Sequence, residues 1–551
     1  MASSGVPLPL FFALAVVFII ATIMIGLYGY KNTKNNQQFL LGRNKSTALV
    51  IGLSYGATFL SASAIIGFGG QAAVHGLGLM WLCFLNLALG LFVPFAFFGK
   101  RVRKLGRKLG ASTFSDLFGK IFKSKGIRGF AAAIIILMMP IYCAAVLKAA
   151  VNALVTLTGT TDVYNIVLIV LAIIVGLYVV YGGIIAVMYN DALQAIIMLI
   201  GMVIIFAVTL YVLGGFSSAM TSLADLFETA GTLPGFNGFT ETPSLLSKEW
   251  WLLISTFTLG VGIGAMTQPQ LVVRFMSAKD DRMLNRSMIV GSLFTFIIVG
   301  IAYTVGPLTN VYFFEHYGMT AFPYVDGVLH QGIDFIIPNY VLDVFSGFTL
   351  GDLFTCVFLL ALLSAAISTL SALIHTIGTA GGHDLFTLIK NRKTKSNEDS
   401  QSLNVNRIVT AVVMILIVVY CFLMPGNIVA KATSLFMGMT AAAILPLMIY
   451  GLYAKRPRKE VALASMTVGT ASYLFWALFI NSSSSEFLPI CKWLTGEKVL
   501  FMSGNLMFVD ALIVALPLSV LTLVVAYFFT RSKNAGDAEI AAVTDENMND
   551  T

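Results

Sequence analysis

Apolar residues fall in long blocks separated by short polar or basic stretches, and each block approaches the roughly 20 residues an α-helix needs to cross a bilayer. Thirteen blocks read as spanning helices: 11–30, 47–70, 77–98, 130–157, 164–181, 191–213, 250–275, 288–312, 349–382, 409–424, 428–453, 461–480 and 507–530. The pattern predicts an all-α polytopic membrane protein, with one transmembrane domain over 1–530 and a disordered, acidic cytoplasmic tail over 531–551. The first block follows a segment without Lys or Arg and is too long and unbroken for a cleaved signal peptide, so it is read as a spanning helix.

Two blocks are interrupted by small and polar residues. Helix 2 reads GLSYGATFLSASAIIGFGG, with Gly56, Ala57, Thr58, Phe59, Leu60, Ser61 and Ser63 in an otherwise apolar run. Helix 7 reads TLGVGIGAMTQPQ, with Gly260, Gly262 and Gly264 before Thr267, Gln268 and Pro269. Each opens a set of five helices, 2 to 6 (residues 47–213) and 7 to 11 (residues 250–453). Because five is odd, the second set runs inverted relative to the first, and broken helices at matching places in two inverted halves are where transporters bind cargo. Glycines that only let helices pack closely are the alternative for either helix alone.

Basic residues follow the same alternation. They crowd the connections after helices 1, 3, 7, 9 and 11, as in KRVRKLGRK, the run Arg274 to Arg286, KNRKTK and KRPRK, and the other connections are nearly bare. Lys and Arg mark the cytoplasmic side, which puts the N-terminus outside and the C-terminus inside. The connections at 214–249 and 315–334 are then extracellular and can carry short capping helices, and SNEDSQS is expected to be disordered in the cytoplasm.

Composition agrees with a lipid solvent: of 551 residues 58% are hydrophobic and 11% charged, with a mean hydropathy of +0.88. The net charge of +8 is topological rather than a nucleic-acid footprint, since the basic residues lie between apolar runs. Five scattered cysteines suggest neither a disulfide framework nor a zinc site. No nucleophile with a base, phosphate loop or metal-ligand cluster points to an enzyme, and no cofactor is expected.

Helix 9 carries SAAISTLSALIH, in which Ala365, Ser368 and Thr369 stand at i, i+3 and i+4 and share one face. Neutral oxygens can replace the water of a hard cation such as sodium while leaving it free to depart; alternatively, both hydroxyls bond their own helix. Ionisable groups inside lipid are functional by default. Asp191 is expected either to cap the start of helix 6 or to line an ion path. Lys148 in helix 4 can snorkel, pair, or face an anionic solute, and His375 is expected to be a packing residue rather than a proton relay.

Three segments, GGIIAVMYNDALQAIIMLIG, TQPQLVVRFMSAKD and SAAISTLS, in this order and spacing, resemble the sodium:solute symporter family, which has the inverted-repeat fold of the bacterial leucine transporter. The resemblance covers helices 2 to 11. It implies a sodium site at Ala57, Leu60, Ala365, Ser368 and Thr369, with Asp191 near the inner end of the ion path. It also implies sodium-coupled symport of a small organic solute by a multi-pass cell-membrane protein. Helix 2 is most similar to the pantothenate and monocarboxylate branches, whereas Phe59 stands where the proline carriers have an aspartate. The expected solute is a small carboxylate among Thr58, Phe59, Ser61, Lys148, Thr267 and Gln268. A proline or sugar carrier, a proton-coupled carrier and a transporter-like membrane sensor are the alternatives.

Overall fold

The computed structural model describes residues 6–42, 46–230, 236–321, 324–325, 328–329, 332–386, 388, 398–424, 429–486, 489–501 and 504–530. Eleven helices among these are long and apolar enough to cross a membrane, with a further apolar helix, Ala48–Phe59, of 12 residues. The only strands among the described residues are Tyr324–Val325 and Val328–Leu329, an antiparallel two-residue ladder.

Eleven rather than thirteen blocks emerge because two pairs are continuous at a turn. Tyr164–Val212 runs as 49 residues with one non-helical residue, Gly183 (φ 58, ψ −160), a kink between the expected helices 5 and 6. The position requires glycine: its φ is left-handed, and a Cβ there would stand 2.7 Å from the Phe39 ring and about 3 Å from the Phe39 backbone. The run Ser63–Lys108 likewise joins the second half of helix 2 to helix 3, turning at Gly76 (φ 70).

Both expected breaks are present. The first helix is started by Thr47, whose hydroxyl accepts from Val50 N, and ends at Phe59. Leu60 departs from helical geometry (φ −95, ψ 86), and winding resumes at Ser63–Gly67 and Phe68–His75. Ser61 helps it resume, its Oγ accepting from Ser63 N at 3.1 Å. The second break is a proline effect. Helix 7 is wound as a π-helix over Trp251–Val261, tightens to a 3-10 turn at Ala265–Thr267, opens at Gln268 (φ −64, ψ 116) and restarts at Pro269–Ser277. A proline pushes its predecessor to extended geometry and is itself suited to the first helical position.

Burial sorts the helices into a centre and a periphery. Gly351–Leu385 is 94% buried in its most apolar window and Val429–Tyr453 89%, whereas Leu8–Asn32 and Ala511–Phe529 are each 17% buried and turn most of their surface to lipid. Lipid is as apolar as leucine, so the centre is held by close backbone approach and interhelical hydrogen bonds rather than by hydrophobic burial. Gly264 is one such approach: a Cβ on it would lie 2.5 Å from the Cβ of Met437 and 2.7 Å from its backbone.

The 214–249 connection carries the helix Phe216–Ala230, and Ile336–Ser346, which follows the strand ladder, buries Ile337, Tyr340 and Phe345 in the core. The SNEDSQS segment differs from expectation from Glu398 onward, where the backbone already belongs to the helix Glu398–Leu423. Its first two residues and the tail 531–551 lie outside the described residues.

Candidate functional site

The first broken helix ends with carbonyls that have no partner further along its own chain, as helix termini do. The helix Gly351–Thr379 supplies the donors. Ser368 Oγ donates to Ala57 O (2.9 Å) and to Ala365 O (3.1 Å), and Thr369 Oγ1 donates to Thr58 O (3.1 Å). Ser368 thus reaches both its own helix and the broken one, as self-bonding alone would not give, and Thr369 reaches the broken helix. Ala57, Leu60, Ala365, Ser368 and Thr369 are all buried. The result is a cluster of neutral oxygens at the mouth of a helix break. Because hydroxyls rotate, each can turn its lone pairs to a cation in place of a carbonyl. That donor set suits a hard monovalent ion and needs no ionised ligand.

Beneath it lies a buried charge pair. Asp191 does not cap a helix: the chain is helical from just after Gly183, so the carboxylate sits two turns into the helix body and is wholly buried. Its Oδ2 accepts from Arg274 Nη2 (2.8 Å), Ser54 Oγ (2.7 Å) and Thr58 Oγ1 (3.1 Å). Ser371 Oγ lies 3.5 Å from Oδ1 and donates to Ser368 O at 3.0 Å, linking the pair to the oxygen cluster. Arg274 also donates to Ser54 Oγ (2.8 Å), to Thr58 Oγ1 and to Gln270 O. Sequence reasoning missed this role. It counted Arg274 as the first basic residue of a cytoplasmic connection, and the structure buries it to 1% exposure. The one available signal was its place in PQLVVRFMS, still on the apolar run.

A small cavity opens at the first break, between the two interrupted helices and the helices Lys125–Thr158 and Asp281–Tyr317. Phe59, Leu60, Ser61 and Ser63 line it from the break. Asn86, Tyr142, Tyr303 and Thr433 close it from neighbouring helices. Tyr142 donates to Ser61 Oγ at 3.2 Å and stacks on Phe436 with ring centroids 5.5 Å apart. No charged residue is among its lining.

Of the six residues expected around a solute, only Phe59 and Ser61 line this cavity. Thr58 turns its hydroxyl to Asp191. Thr267 bonds Gly264 O (3.3 Å), and Gln268 bonds Gly264 O and Thr440 Oγ1 (2.9 Å each), which holds the second break together. Lys148 donates to Met424 O at 2.6 Å, at the C-terminal end of Glu398–Leu423, where the helix dipole favours a cation. His375 is a packing residue, its Nε2 2.9 Å from Phe39 O. Asn86, Tyr142, Tyr303 and Thr433 were not anticipated, although Asn86 is a lone amide in an apolar helix and thereby gave a signal.

The sequence model of the sodium:solute symporter family matches residues 39–469. A sodium/pantothenate symporter of Haemophilus influenzae is 27% identical over 504 residues, 91% of this chain and 96% of the relative. A sodium/proline symporter of Escherichia coli is 25% identical over 477 residues, 86% of this chain and 89% of the relative. Among solved structures, the outward-open state of a Na+-coupled sialic acid symporter superposes with a TM-score of 0.73 at 18% identity, covering 95% of this chain and 99% of that one. These relatives are transporters, not enzymes, and the likeness of fold extends to regions of low identity. With a family match across most of its length and bilayer-length helices throughout, the chain is a membrane protein that belongs to the sodium:solute symporter family.

Proposed function

We propose that the protein is a sodium-coupled symporter that imports a small organic solute across the cell membrane by alternating access. The observation that carries this reading is the meeting of Ser368 and Thr369 with the last carbonyls of the broken helix, 2.9 to 3.1 Å apart. Sodium is held there by Ala57, Leu60, Ala365, Ser368 and Thr369, and the adjacent cavity holds the solute. The buried Asp191–Arg274 pair joins three elements, two of them interrupted helices, on the inner side of the oxygen cluster. It closes the inner path, and Asp191 lies on the route of a departing ion.

In this reading the chain crosses the membrane thirteen times, N-terminus outside and C-terminus inside. Residues 47–213 and 250–453 form two inverted five-helix halves within one transporter domain, 1–530. The two turns at Gly76 and Gly183 support the count, since each divides a run longer than one crossing needs. The solute is a pantothenate-like or monocarboxylate anion, supported by the helix 2 pattern and by the pantothenate symporter among the relatives. Lys148, engaged at Met424 O, takes no part in binding it. With no ionised side chain on the cavity wall, the bound sodium balances the carboxylate.

Titrating the purified protein with NaCl against KCl tests the ion site. Saturable thermal stabilisation by sodium is expected, because a ligand that binds only the folded state raises its stability. An equal shift with potassium would remove the site.

A further inference from the structure

The connection between helices 12 and 13, residues 481–510, is fastened down rather than looped out. Its short helix Ile490–Thr495 packs against the end of helix 12, Trp476–Ile480. Leu500 N donates to Phe479 O at 2.8 Å, and Trp476 Nε1 and Asn481 Nδ2 each donate to Val509 O at 2.9 Å, so the return limb is tied to the same helix end. Asn505 Nδ2 donates to Leu246 O at 2.6 Å, which joins the connection to the residues just before helix 7. Leu246 itself takes a left-handed backbone (φ 61) that bulky side chains seldom adopt.

On these joined segments Leu245, Leu246, Trp493, Leu494, Leu500 and Phe501 are 45% to 75% exposed. A set of large apolar side chains left open in this way is disfavoured in water and marks a contact surface. Its surroundings say what covers it. Phe479, whose carbonyl holds Leu500, stacks on Phe475 with ring centroids 5.4 Å apart, and Phe475 is 53% exposed on a helix of bilayer length. The apolar set therefore continues a surface that already faces lipid. Trp is favoured at the membrane boundary, where its ring meets acyl chains and its N–H meets headgroups. Lys492 and Lys498 are exposed on the same stretch, against one exposed acid, Glu497, and lysines on an apolar surface reach out with their ammonium groups to a polar boundary. We propose that residues 490–506, with Leu245 and Leu246, form a membrane-interface anchor: the apolar side chains enter the boundary between headgroups and acyl chains, and the two lysines meet lipid phosphates. Through Asn505 and Leu246 the anchor holds the start of helix 7 against the bilayer. Which leaflet it enters follows from the proposed topology, whereas the contact with lipid does not depend on it.

The test places an environment-sensitive fluorophore on Leu494→Cys and, separately, on Leu246→Cys in the full-length protein, whose native cysteines are all buried. The labelled proteins are held in nanodiscs of phosphatidylcholine and phosphatidylglycerol, where both faces of the membrane are open to solvent. Phosphatidylcholine with a doxyl group near its headgroup should quench both labels at least about threefold more than aqueous iodide does, because an interfacial apolar face sits about 5–10 Å into the boundary. In the unlabelled protein, Trp493→Phe should remove a component of the intrinsic emission that the same lipid quenches, a measurement that needs neither cysteine variant to fold. Quenching by iodide in preference to lipid would make the connection a solvent loop, and quenching by neither would mean that protein covers it; either result would overturn the anchor.

Discussion

Asp191 and Arg274 are each wholly enclosed by protein at membrane depth, where a lone charge is costly and a pair is tolerated only when its remaining hydrogen bonds are met. Ser54 and Thr58 meet them. Removing one partner leaves the other charge uncompensated, so Asp191→Asn or Arg274→Gln alone should destabilise the protein by about 3–5 kcal/mol. The double variant should be clearly less harmed than the sum, and thermal unfolding of the four proteins in detergent reads the difference. Ser368→Ala with Thr369→Ala should instead spare insertion and weaken sodium affinity by about tenfold or more, the scale of two lost ligands. Unchanged sodium affinity would displace the site. That Ser368 and Thr369 share a helix face with Ala365 was legible in the spacing, whereas their meeting with the broken helix was suggested only by the family resemblance. Arg274 was not, because a basic residue at the end of an apolar block has the same appearance whether it begins a loop or ends inside the bundle. The bond from Lys148 to Met424 O was not legible for the related reason that sequence does not show which carbonyl a long side chain reaches.

At the scale of elements, both helix breaks could be read from the chain: Pro269 dictates one through its geometry, and the Ser and Thr content around Phe59 marks the other. The turn at Gly183 was blurred. The residues after it are as apolar and helix-forming as those before, and the polar pair Asn190 and Asp191 gave a false signal of a helix start. Close approach at Gly264 supplies a sharper test. Gly264→Val should sharply reduce folded protein, since its Cβ already meets the Met437 backbone at 2.7 Å with no flexible atom to yield. Gly300→Val, at a position with open space around its Cβ, is the control and should fold normally in a fluorescence-detected size-exclusion assay.

For the whole molecule, the gradient from the enclosed helix Gly351–Leu385 to the lipid-facing helices Leu8–Asn32 and Ala511–Phe529 separates a functional centre from peripheral supports. Fold class was legible because bilayer thickness imposes a block length on any helical membrane chain. The cavity was not, because its walls come from six parts of the sequence that no local pattern connects. Orientation can be checked against a quiet background, since all five native cysteines are buried. A cysteine at Ser217 should react with a membrane-impermeant maleimide on intact cells, and one at Arg456 only after permeabilisation; the reverse pattern would invert the topology.

In the proposed mechanism a sodium gradient drives solute through this site. The most direct measurement is uptake of labelled pantothenate, lactate, proline and glucose into proteoliposomes with an inward sodium gradient, and with potassium in its place. At least one carboxylate should accumulate with sodium, and that accumulation should be lost with potassium and, at low sodium, in the Ser368→Ala, Thr369→Ala protein. Uptake that proceeds equally well with potassium would contradict it.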